Sequence, residues 1–442
     1  MMCRKTSFAL AAFAATLLGG PATLLGQGVT SATDTLRLGD LQGDAVRRDP
    51  RARQLQLLSS QTALRLRDID ASRLPAIGAN AQAQYQSQVI AIPLRLPNGQ
   101  SIQSPANDTY DAYLSAQQSL YDPAIKARRG VERAQLAASQ ASVRSTLFAL
   151  RQNVNDAFFA AQLQQAQLLE QQAGVTDLEA QLGVARNMVR QGTALPSAAE
   201  MLEAELLKRR QAIAQLAANR DADLAVLSDL TGRTVTSVDV LAAPDLGAAV
   251  ARARATLDTL RARPEYQLFE RSRGVLAEQR AALDAAAEPR ISAFGRAGYG
   301  RPGLDPLSHD FERYWLAGIQ VAWTPWNWGT TRRDREALTL QQQIVASDED
   351  AFRERVQRGV TRDLANIDQM ERNLASDDTI VTLREQILQE TRFRFTEGVI
   401  TSADYVNRET DLLDARLARA AHRIQLAQAR ANFLTSIGLE VR

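Results

Sequence analysis

The feature that most constrains this chain is that it is written twice. The run RRDPRARQLQLLSSQTALRLRDIDASRLPAIGANAQAQY from Arg47 resembles RARPEYQLFERSRGVLAEQRAALDAAAEPRISAFGRAGY from Arg261, and Pro50, Pro75 and Tyr85 match Pro264, Pro289 and Tyr299 without a gap. LSAQQSLYDP from Leu114 parallels LAGIQVAWTP from Leu316, pairing Pro123 with Pro325, and Gly192 and Gly232 are spaced as Gly398 and Gly438 are. A tandem repeat of this length implies a pseudo-twofold protomer in which each copy is one structural unit.

Each copy has the same internal order. Prolines bound a first helix at 50–74 and at 264–288, since proline is accepted in a first turn and stops a helix it follows. A β-hairpin comes next, at about 77–122 and about 290–324. Its first strand in copy one, IGANAQAQYQSQVIAI, alternates Ala79, Ala81, Ala83 and Tyr85 against Asn80, Gln82, Gln84 and Gln86 from 77 to 92. A long helix over 123–190 and 325–397 is then a rod of about 100 Å, with Val356, Val360, Leu364, Ile367 and Leu374 as its buried stripe in copy two. Helices at 198–231 and 402–437 return. The repeats are thus 47–232 and 261–442, with a leading segment 27–46 and a linker 233–260. The two shorter helices of each copy together approach the rod's length, so they are expected to stack end to end beside it.

The amino end reads MMCRKTSFALAAFAATLLGGPATLLGQG, with Arg4 and Lys5 ahead of an apolar run from Phe8 to Leu18. This is the pattern of a secretory signal peptide, residues 1–26, cleaved between Ala22 and Gln27. Cys3 is the only cysteine and lies before the apolar run, where it cannot be the lipidated residue of a lipoprotein. Beyond the signal no uncharged run of 18 apolar residues occurs. Membrane entry therefore requires a closed β-barrel, whose backbone amides are all paired.

The strands fit that requirement. Small and aromatic residues occupy one parity and amides or charges the other, the lipid-out, lumen-in pattern of outer-membrane barrels. In the returning strands the apolar parity is Tyr110, Ala112, Leu114, Ala116 and Leu120, and Trp315, Ala317, Ile319, Val321 and Trp323. All four tryptophans, Trp315, Trp323, Trp326 and Trp328, gather in and just beyond one strand and, with Tyr85 and Tyr110, suit a membrane-interface girdle. Four strands close no barrel alone, whereas three copies supply twelve, an even number wide enough for an aqueous lumen.

Other functions find little support. Lysine plus arginine total 52 against 50 acids, so there is no basic field for nucleic acid. Its two histidines, His309 and His422, have no H-x-x-x-H or cysteine partner, and no G-x-x-x-x-G-K-[ST] loop or nucleophile constellation occurs. No cofactor or metal is expected, and the chain reads as a non-enzyme. Carboxylates alternate with arginines along the helices as on solvated, salt-bridged faces.

Over the whole mature chain the sequence resembles the TolC-like outer-membrane efflux family. The resemblance rests on the duplicated order of elements, on Leu74 and Pro75 before the first strand, and on VRQGTALPSAAEMLEAELL and RFRFTEGVITSADYVNRETDLLDARLA. The family's glycine, hydroxyl and acid ahead of an apolar helix match Gly398, Thr401 and Asp404. It implies a mainly α protein with a transmembrane β portion: a homotrimer whose 12-stranded barrel in the outer membrane of a Gram-negative-type bacterium continues into a 12-helix periplasmic tunnel. Residues 27–46 become a periplasmic segment and 233–260 an equatorial linker. Implied partners are outer-membrane lipid, a periplasmic adaptor (membrane fusion) protein and an inner-membrane RND or ABC transporter, in tripartite efflux or type I secretion.

The resemblance also implies site residues. Asp404 matches the first acid of the family's constriction ring, but Asn407 stands at the second. The tyrosine, arginine and aspartate of the family's latches match Phe395, Ile400 and Ala198, which cannot make those bonds. A resting gate held by packing, or by other partners such as Arg394, is expected. At the other tip Gly192, Ser197 and Glu200 parallel the signature, and Ser197-x-x-Glu200 and Thr401-x-x-Asp404 both read as capping boxes after C-cap glycines. A soluble periplasmic coiled-coil scaffold is the alternative, and the cargo, small molecule, metal or unfolded protein, is left open.

Overall fold

The computed structural model describes residues 35–90, 104–257 and 262–441. The signal-peptide expectation lies outside them, as do Ala91 and Ile92. The described residues begin with β1 (Thr35–Arg37) and α1 (Leu38–Arg48). A 3-10 turn at Pro50–Arg53 opens α2 (Gln54–Ala71), followed by β2 (Ala76–Tyr85), β3 (Asp108–Tyr121), α3 (Pro123–Arg190) and α4 (Pro196–Thr231). After β4 (Val240–Ala242) and α5 (Gly247–Ala255) the order recurs as α6 (Pro264–Ala286), β5 (Arg290–Arg301), β6 (Glu312–Ala322), α7 (Thr330–Thr396) and α8 (Ser402–Ser436).

The rods α3 and α7, 68 and 67 residues long, are each about 100 Å in length. At one end they join the sheet and pack with α2 and α6; toward the other they pack with α4 and α8. The short helices therefore lie in line along each rod. Proline explains the entry to α3: Pro123 sits in the first turn, where its missing N–H is no loss, and the Asp122 side chain accepts from Ala124 N at 3.0 Å.

Between the ends lies the largest core. Leu36, Leu38 and Leu41 pack with Phe158, Phe159, Val250, Phe433, Leu434 and Val441, all buried. A buried amide relay runs through it, from Gln42 Nε2 to Asn155 Oδ1 (2.6 Å) and from Asn155 Nδ2 to Thr435 Oγ1 (3.1 Å). Between the two repeats, β4 pairs in parallel with β1 and α5 packs on α8.

Local differences from the expected boundaries have local causes. The strand expected over 77–92 ends at Tyr85, and Gln86 makes the last rung by donating to Asn107 O at 2.7 Å. The helix expected from Pro325 starts at Thr330, because Trp328 (φ 55°) and Gly329 (φ 77°) turn the backbone left-handed first. Helix α4 starts at Pro196 with Leu195 as N-cap, so Ser197 falls inside the first turn and its expected capping box does not form. Thr401 makes the box in full with Asp404.

Candidate functional site

The sheet order is β2-β3-β5-β6, antiparallel throughout. Its register places Ala79, Leu114, Ala297 and Trp315 in one row, with Ala81, Ala112 and Tyr299 in the next on the same face. The other face carries Gln82 beside Asp111, and Tyr113, Gly298 and Tyr314 in a row. There Tyr314 donates to Asp111 at 2.5 Å, and the Arg296 guanidinium lies 4.6 Å from the Tyr113 ring centre. One face is thus mainly apolar, with Arg313 beside Tyr299 and Gln118 beside Ala293 among its members, and the other mainly polar, with Phe294 and Leu316 among its members. The apolar face is bare: Leu114 is 60% and Trp315 74% exposed.

Aromatic side chains mark both ends of that face. Away from the helices Tyr85 and Tyr110 stand exposed, and Phe311 packs 6.1 Å from Tyr110 and 5.5 Å from Tyr299. Next to the helices are Trp323, which donates to Ala287 O at 3.2 Å, and the edge-to-face pair Trp326 and Trp328 at 6.0 Å. The 12 residues of β5 span about 40 Å along the strand, or about 30 Å along an axis tilted by about 40°. That matches the hydrocarbon thickness of a bilayer, about 30 Å.

At the opposite end two helical turns lie side by side. Gly192 (φ 74°) and Gly398 (φ 73°) take the left-handed conformation that ends α3 and α7. A groove of about 270 Å³ between the turns brings together Ser197, Ala198, Phe395, Gly398, Ile400 and Thr401. Asp404 and Asn407 stand exposed on α8, one turn apart, while Gly192 and Glu200 are exposed on the other hairpin. Hydrogen bonds from Thr401 hold the Asp404 carboxyl below the usual carboxylate range, so it is charged at neutral pH. Arg394 pairs with Glu390 of its own helix and so links no helices.

Sequence reasoning missed a buried polar cluster nearby. Phe395 stacks on Tyr405 at 5.2 Å, and the Tyr405 hydroxyl donates to Asp177 of α3 at 2.5 Å. Asp177 also pairs with Arg392 of α7. Behind it Arg209 of α4 forks onto Glu409 of α8, through Nη1 to Oε1 at 2.8 Å and through Nη2 to Oε2. Their side chains are 3% and 5% exposed, unlike the solvated pairs that charge alternation suggested. Gly174 of α3 makes room: a Cβ there would lie 2.4 Å from Arg209 Nη1. A tyrosine, an arginine and an aspartate thus do link the helices, at Tyr405, Arg392 and Asp177, while Phe395, Ile400 and Ala198 meet only by packing. An available signal was Gly174, a poor helix former deep inside a 68-residue helix, though Gly130 and Gly183 lie in the same helix.

No protein-family profile and no curated protein sequence matches the chain. Solved structures do. VceC, an outer membrane protein of Vibrio cholerae, matches with a TM-score of 0.65 at 14% identity over 92% of this chain and 97% of its own. CusC matches with a TM-score of 0.65 at 17% identity over 96% and 99%. The open state of the Neisseria gonorrhoeae MtrE outer membrane channel matches with a TM-score of 0.63 at 19% identity over 92% and 90%. The fold is that of the TolC-like outer-membrane channels. Of these, CusC forms a transmembrane channel and MtrE is an outer membrane channel.

Proposed function

We propose that this protein is the outer-membrane exit duct of a tripartite efflux or type I secretion system. The observation that carries the reading is a four-stranded sheet with one bare apolar face, set at the end of a helical rod of about 100 Å. Its edge strands β2 and β6 run in opposite directions, so β6 of one copy can continue antiparallel onto β2 of the next. Three copies then close a 12-stranded barrel without an open edge. The outermost helices beside those edges support the same partner: Leu57 and Leu64 on α2, and Leu340 and Ile344 on α7, are exposed apolar residues.

In that assembly the apolar face meets outer-membrane lipid, with Tyr85, Tyr110, Trp315, Trp323, Trp326 and Trp328 near its interfaces, and the polar face lines a wet lumen. The helices form the periplasmic tunnel, and the two turns at Gly192 and Gly398 are the surface offered to a periplasmic adaptor. An inner-membrane RND or ABC transporter supplies the energy, since conduction through the duct is passive. Asp404 and Asn407 ring the constriction.

Salt-washed outer membranes extracted in detergent are expected to yield a trimer by native mass spectrometry. A monomer or dimer released by salt overturns the duct and leaves a periplasmic scaffold. In planar bilayers Asp404→Ala is expected to weaken block by divalent cations roughly tenfold, as loss of a charged ring implies. Unchanged conductance and block in that variant remove Asp404 from the constriction.

A further inference from the structure

The two apolar residues that interrupt the polar face of the sheet, Phe294 and Leu316, both border one arginine. Arg296 of β5 lies in register with Ser115 of β3 and Leu316 of β6. The row nearer the helices sets Phe294 beside Gly318, and the row farther away sets Tyr113, Gly298 and Tyr314 together. The two glycines let the neighbouring rings lie down across the sheet. A Cβ on Gly298 would be 2.9 Å from Tyr314 Cζ, and one on Gly318 would be 2.9 Å from Phe294 Cζ. Tyr314 is accordingly only 8% exposed although it sits on a single sheet.

Within this collar the Arg296 guanidinium is held by ring faces, 4.6 Å from the Tyr113 centre and 5.5 Å from that of Tyr314. Among the described residues it has no hydrogen-bond or ion-pair partner; its Nε is enclosed, whereas its Nη atoms are not. The acids of the same face leave it unneutralised. Asp111 and Glu312 stand four residues farther along their strands, about 13 Å away. Each is also engaged elsewhere, Asp111 by the Tyr314 hydroxyl and Glu312 by the Ser308 hydroxyl.

We propose that Arg296 and its collar form a binding site for organic anions, with a carboxylate or sulfonate on the Nη edge and an apolar body against Phe294 and Leu316. The guanidinium selects the acid, because its parallel N–H donors match two oxygens of one such group. The apolar neighbours select an organic one, since burying their surface rewards a hydrocarbon body and gives nothing to a hydrated inorganic ion. The site is built within one protomer. That it meets departing cargo, and so names organic anions as a cargo class, rests on the duct reading, which puts the polar face around the lumen.

The test is ligand-observed fluorine NMR on the full chain in a non-ionic detergent at pH 7. The probe is 4-fluorobenzoate, with uncharged 4-fluorobenzamide as control and inorganic phosphate as competitor. The wild type is expected to bind the acid about tenfold or more tightly than the amide, the worth of a charge-assisted fork. Arg296→Gln is expected to remove that advantage and leave the amide unchanged, while Arg296→Lys, which keeps the charge without the planar fork, retains part of it. Equal binding of acid and amide by the wild type overturns the site whether or not a variant folds. Wild-type affinity for the acid in Arg296→Gln also overturns it, because the anion then sits elsewhere. Displacement of the acid by an equal concentration of phosphate overturns the organic class.

Single-channel recording separates this site from the duct. A chain that prefers the acid but forms no channel keeps the site and sinks the duct, and a conducting trimer that binds acid and amide alike does the reverse.

Discussion

Leu114→Arg is expected to abolish stable assembly, while Gln82→Arg on the same hairpin leaves it intact. Leu114 lies midway along β3 on the apolar face, between Ala79 and Ala297, and touches so little of its own protomer that it is 60% exposed. If that face meets lipid, arginine there costs about 2–4 kcal/mol per copy, or about 6–12 kcal/mol in a trimer, so that each copy loses a large fraction of the about 5–15 kcal/mol by which a fold is stable. Gln82 lies on the polar face opposite Asp111, where an added guanidinium finds water and an opposite charge. The readout is the fraction of chain recovered from outer membranes as an oligomer that survives dodecyl sulfate without heating. Equal recovery of the two variants means that water bathes both faces of the sheet, and the barrel falls.

The second large effect concerns the buried bridge. Arg209→Ala leaves a carboxylate at 5% exposure without its main partner, a loss of about 3–5 kcal/mol. Replacing both partners with apolar residues, Arg209→Met with Glu409→Leu, is expected to recover most of that loss or to exceed the wild type, since the desolvation of both charges disappears. Thermal unfolding followed by helical ellipticity in detergent measures the difference. The single variant is also expected to lose less stability at pH 5 than at pH 8, because the stranded carboxyl takes up a proton in acid. A single variant as stable as the wild type at pH 8 shows that the fork contributes nothing.

The sequence made some parts of this molecule readable and hid others for physical reasons. Prolines 50, 75, 123, 264 and 289 announce element ends because a missing N–H is a purely local fact, and the alternation from Ala79 to Tyr85 carries the two faces of the sheet in its parity. Trp328 and Gly329 were read through, since a bulky residue gives no warning that it will adopt a positive φ. Leu195 and Pro196 hid a helix start because Ser197 offered a better-looking cap two residues too late. Pairing of β1 with β4 rests on three-residue strands some two hundred positions apart, and no local pattern encodes it. At the tip, Gly398, Thr401 and Asp404 stood out as a motif. Asp177, Arg209, Arg392, Tyr405 and Glu409 did not, because charges destined for burial use the same residues as charges on a wet helix face.

The core around Phe158 and Phe159 also bears on the order of events during folding. It takes Leu36, Leu38 and Leu41 from near the start of the described chain and Phe433, Leu434 and Val441 from its other end. A chain emerging amino end first cannot complete this core until Phe433, Leu434 and Val441 arrive, however readily the long helices form by themselves. Contacts of such sequence separation are entropically expensive and slow to form. The mid-body core thus closes only when residues some four hundred positions apart in the described chain have met.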